Sequence, residues 1–99
     1  MTREEIIERL RALGIDANPR DWAMGATVAV PLGNPVDAHG IRGWPGMMYL
    51  YPDREKAGRW CLCILDHREP DPHAVWDDLE VLAQDVAGLH AEWASRRGE

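Results

Sequence analysis

The chain contains no phenylalanine and only one serine, Ser95, close to its C-terminal end. It has two cysteines, and no apolar run approaches the roughly 20 residues that a helix needs to cross a bilayer. Each shortage excludes something. A lone distal serine provides no serine, histidine and acid in convergent spacing for nucleophilic catalysis. Two cysteines build no disulfide framework, and the N-terminus, MTREEIIERL, is charged and helical in pattern where a signal peptide would be apolar. The expected compartment is therefore the cytoplasm, with no membrane partner.

What is present is 99 residues, 45% hydrophobic and 28% charged, which predicts one domain over residues 1–99. The net charge of −6 is uneven. Acids and bases balance through residue 65, and the whole excess lies in residues 66–99. Such a field repels phosphates and attracts basic surfaces, so a basic protein partner is expected and direct nucleic-acid binding is not.

Thr2 and Glu5 have the spacing of a capping box and open a first helix with the apolar stripe Ile6, Ile7, Leu10 and Leu13. Glu5 and Arg9 are spaced for an i,i+4 pair, and Gly14 with Ile15 for a Schellman ending. After the break DANPRD, WAMGATVAV predicts a strand over Trp22–Val30, with Trp22, Met24, Ala26, Val28 and Val30 on one face. Residues 31–46, with four glycines and three prolines, predict a long loop, a short edge strand around Val36–Ile41 being optional. MMYLY and RWCLCIL predict a hairpin across PDREKAG. Asp71 as N-cap and Pro72 as first helical residue predict a second helix, whose stripe is Val75, Leu79, Leu82, Val86, Leu89 and Trp93.

The expected fold class is thus α+β in the order α-β-β-β-α: a three-stranded antiparallel sheet, optionally four-stranded, with both helices packed on one face. That order resembles double-stranded-RNA-binding domains in topology alone. Their basic cluster at the start of the second helix is replaced here by DPHAVWDD, so RNA binding is not implied.

Cys61 and Cys63 alternate onto one side of their strand, roughly 6.6 Å apart at about 3.3 Å per residue. That is near the outer limit for a disulfide. A metal centre would draw on Cys61, Cys63 and one or two of His39, His67 and His73. The spacing C-x-C, then H-x5-H, matches no common zinc pattern. The plain reading is two small apolar residues on a sheet face, with no cofactor expected. Asp37 and His39 lie two apart without a nucleophile beside them, and a mid-strand thiol is usually structural. No nucleophile, base and orienting group line up, so no enzymatic activity is expected.

The surface is more informative. Trp22, Trp60 and Trp93 fall on core faces, while Trp44 beside Arg42 in the loop is either a binding hot spot or a pin beneath the loop. Asp78, Asp85 and Glu92 recur every seven residues, thickened by Asp77 and Glu80. The far sheet face, with Met47, Tyr49, Tyr51, Cys61, Cys63 and Leu65, predicts an exposed apolar patch. The function expected is a small, acidic, non-catalytic protein-binding module. It would block or escort a basic partner (a nuclease, toxin or nucleoprotein effector), as acidic immunity proteins, antitoxins, anti-CRISPR proteins and other nucleic-acid mimics do. Asp77, Asp78, Glu80, Asp85 and Glu92 would attract it; Trp44, Arg42, Tyr49 and Tyr51 would anchor it. Two readings compete with this one. One is a small-molecule- or metal-binding domain using Cys61, Cys63, His39 and His67. The other is a homodimeric adaptor or chaperone subunit pairing through Met47, Tyr49 and Tyr51.

Overall fold

The computed structural model describes residues 1–22, 25–33, 46–65 and 74–96. Helix α1 spans Arg3–Ala12 and begins with the expected capping box. The Glu5 N–H donates to Thr2 Oγ1 at 3.2 Å and the Thr2 N–H to Glu5 Oε1 at 2.9 Å. Gly14 ends the helix at φ +82°, a conformation that strains any residue with a Cβ. The N–H groups of Ile15 and Gly14 then reach the carbonyls of Leu10 and Arg11, both at 3.0 Å, in a Schellman ending. Ile6, Ile7 and Leu10 are buried. Leu13, expected to join them, is 38% exposed, because as C-cap it has already left helical geometry. Nor does Arg9 pair with Glu5, whose carboxylate serves the capping box; Arg9 reaches Glu80 instead.

The sheet has five strands, not three. β1 (Asn18–Trp22), β2 (Gly25–Gly33), β3 (Gly46–Pro52), β4 (Trp60–Leu65) and β5 (Val75–Trp76) form an antiparallel sheet in sequence order. The single strand expected over Trp22–Val30 is therefore two. Trp22 pairs with Gly25 and Arg20 with Thr27, so the chain reverses inside WAMGATVAV. Gly25, at φ +94°, is the residue that permits the reversal, and it was the one breaker inside a strand-like run. β1 grows out of the expected break DANPRD. Its Pro19 is tolerated because β1 is an edge strand, where a missing N–H costs no ladder bond. Five strands also end the topological likeness to double-stranded-RNA-binding domains. The optional strand around Val36–Ile41 lies outside the described residues.

Helix α2 spans Leu79–Arg96 and starts later than expected. The N-cap is Asp78: its Oδ1 accepts from the Val81 N–H at 3.0 Å and its carbonyl from the Leu82 N–H at 3.0 Å. Asp71 and Pro72, expected in that role, lie outside the described residues. Val75 and Trp76, expected inside the helix, form β5 against Cys61 and Trp60. Val75 is consequently 56% exposed, whereas Leu82, Val86 and Trp93 of the expected stripe are buried. Val28, Val30, Leu32, Met48, Leu50, Trp60, Leu62 and Trp76 supply the sheet's share of the core and meet α1 and α2 in one apolar cluster. Both helices therefore cover the same face, and α2 crosses it from β5 toward β2 with one flank outward.

Candidate functional site

The five acids expected to attract a partner fall into two groups. Glu80 and Asp77 are offset by cations. Arg9 holds Glu80 by two hydrogen bonds, Nε to Oε1 at 2.7 Å and Nη2 to Oε2 at 3.0 Å. These hydrogen bonds pull the Glu80 carboxyl below its ordinary value and raise the Arg9 guanidinium. Lys56 Nζ lies 3.6 Å from Asp77 Oδ1. Asp78, Asp85 and Glu92 are different. Asp78 caps α2, and Asp85 Oδ2 accepts the indole N–H of Trp76 at 2.8 Å. Both donors are neutral N–H groups and bring no positive charge to the carboxylates. Among the described residues no cation forms an ion pair with any of these three, and all three are exposed. Seven residues of helix rise about 10.5 Å and turn almost twice, so the three form one charged line along α2.

Beside this line, between β5 and α2, lies an open groove of about 350 Å³. Trp76, Leu89, Asp85, Gly88 and Glu92 line it. Trp76 is only 6% exposed and forms part of its apolar wall. Gly88 is exposed, and an added Cβ there would meet nothing within 4 Å. A glycine inside a helix costs about 1 kcal/mol relative to alanine. No steric demand explains the residue, and its effect is to leave the groove open. Sequence reasoning missed this feature because it placed Trp76 inside the helix. The available signal was a glycine in the middle of an otherwise regular apolar stripe.

The opposite sheet face is less open than expected. Tyr49 is 4% exposed, and Arg20 Nη1 donates to its hydroxyl at 2.9 Å while the guanidinium stands 5.6 Å from the ring centroid. Thr27 is fully buried and donates to the Arg20 carbonyl at 2.6 Å. Cys63 is buried, while Met47, Tyr51 and Cys61 are half-buried. The reason is β1, absent from the expected fold, which brings Arg20 across to Tyr49. Tyr49 is thus withdrawn from the anchoring role, and the proposed Met47, Tyr49 and Tyr51 pairing face loses its centre. Trp44 and Arg42 lie outside the described residues.

Cys61 and Cys63 lie opposite Tyr51 and Tyr49 on β3. Burial, and next the charge of Asp53, push the Cys61 thiol up, so less of it is thiolate than in a free cysteine. An activated nucleophile needs the opposite shift. Among the described residues no three histidine, cysteine or acidic side chains converge as metal ligands. His39 and His67 lie outside those residues. Also among the described residues, no helix is long and apolar enough to cross a membrane.

Comparison of the chain with protein-family models, with curated proteins and with solved structures found no match.

Proposed function

We propose that this protein is a small non-catalytic binding module that holds a basic protein partner against the outer flank of α2. The partner class is a nuclease, toxin or nucleoprotein effector. The module would act as an inhibitor, presenting carboxylates to a surface built for phosphates, as immunity proteins, antitoxins and anti-CRISPR proteins do. The observation that carries this reading is the line Asp78, Asp85 and Glu92, whose charges no described cation offsets. Asp77 and Glu80 contribute less, because Lys56 and Arg9 already face them. The Arg9–Glu80 pair instead joins α1 to the first turn of α2, and Lys56 stands beside Asp77 just before that helix. A flank held this way loses little freedom on binding, which favours affinity.

Complementary charge speeds encounter and fades with salt, the Debye length being about 8 Å at physiological ionic strength. The test is affinity capture from the native host, followed by association kinetics with the purified partner. Wild type is compared with the triple variant Asp78→Asn, Asp85→Asn, Glu92→Gln. Asparagine still caps a helix and its amide oxygen still accepts the Trp76 N–H, so the fold is kept. Association should slow at least about tenfold at low salt, and the difference should shrink as salt rises. Equal rates and affinities at low salt would remove the reading.

A further inference from the structure

We infer that the groove between β5 and α2 seats one arginine side chain of the basic partner over Gly88. This rests on the reading above and names a contact within it. On a helix surface the neighbours of a residue are those three and four positions away. For Gly88 the neighbour three before is Asp85 and the neighbour four after is Glu92, so the one bare spot on this face is bracketed by two carboxylates. Trp76 and Leu89 supply apolar wall for an aliphatic stem, the way long basic side chains bury their methylenes and keep their heads polar. The indole N–H of Trp76 holds Asp85 through Oδ2 and thereby orients the carboxylate.

Arginine fits better than lysine. Its planar fork has five donors and can serve two acceptors at once, here the Asp85 and Glu92 carboxylates. The groove, about 350 Å³, is at the small end of the range for ligand pockets, about 300–1,000 Å³. It has room for one long side chain whose backbone stays outside.

The experiment is an amide and indole N–H chemical-shift titration of the full chain with three blocked peptides, acetyl-Gly-Arg-Gly-amide and its Lys and Leu counterparts. The arginine peptide should shift the Trp76 indole and the Gly88 and Leu89 amides saturably. The lysine peptide should bind at least fivefold more weakly, and the leucine peptide should leave these signals in place. Gly88→Leu fills the groove and should weaken arginine-peptide binding at least tenfold, with Gly88→Ala as a control for helix integrity. Shifts confined to other sites, equal effects of the arginine and leucine peptides, or Gly88→Leu binding within twofold of wild type would overturn the inference. If Gly88→Leu fails to fold, the three-peptide comparison on wild type decides. A Gly88→Leu protein that still binds the captured partner normally, when the triple acid variant does not, would sink this contact alone and leave the charged flank standing.

Discussion

Asp53 opens the connection from β3 to β4 and makes three interactions with Glu55 and Arg59. Its N–H donates to the Arg59 carbonyl at 2.8 Å, and its carboxylate accepts the Glu55 N–H at 2.8 Å and the Arg59 guanidinium. The Glu55 N–H first, and Arg59 second, hold this carboxyl below its ordinary value. A carboxyl lowered in the folded state stabilises the fold fully above its unfolded value, about 3.9 for aspartate. That contribution is lost as pH falls from there through the depressed folded value. Glu80 behaves likewise through Arg9. Urea midpoints followed from about pH 6 to about pH 2 should therefore fall on the acid side, and Asp53→Asn should flatten that limb. An unchanged limb would mean that Asp53 is not a linked group. Gly88 offers the converse case, since Gly88→Ala should raise stability by about 1 kcal/mol, read as a higher urea midpoint.

The elements differ in how far local signals could define them. α1 was legible because its determinants lie within a few residues of each other: Thr2 with Glu5 at the start, Gly14 with Ile15 at the end. The start of α2 was not, because Asp71 and Asp78 both qualify as N-caps and Pro72 favours the earlier one. Pairing of Val75 and Trp76 with β4 takes those residues out of the helix and leaves Asp78 as the cap. Asp78→Ala should accordingly cost about 1 kcal/mol and Asp78→Asn almost nothing, measured by equilibrium unfolding. Equal stability of all three proteins would refute the cap. β5 is two residues long, too short to carry a period, and β1 hides in a segment whose proline and aspartates read as a break. Only Gly25 hinted that the strand-like run after them turns back on itself.

For the molecule as a whole, one apolar cluster joins both helices to a single sheet face, and Leu50 and Leu82 are fully buried within it. Leu82→Ala should cost about 2–5 kcal/mol in unfolding free energy, since the cavity it leaves is walled by both the sheet and its own helix. A cost below that range would show that the helix can collapse into the space. The candidate site depends on the same assembly. Each acid of the flank was visible in the sequence, and so was the seven-residue spacing of Asp78, Asp85 and Glu92, because a helix converts spacing into direction by its own period. Which acids stay uncompensated was not visible. Arg9 and Glu80 are 71 positions apart, and no local rule brings them together. The same holds for Arg20 closing over Tyr49 and for Trp76 holding Asp85 beside an open Gly88. The amino-acid order alone determined the α+β class, the core stripe of each helix apart from Leu13 and Val75, and the surplus of negative charge in the last third, all set by periodicity and composition. Strand number, the pairing of charges and the groove were decided only in three dimensions, where residues distant in the chain compete for the same partners and the packed sheet selects among them.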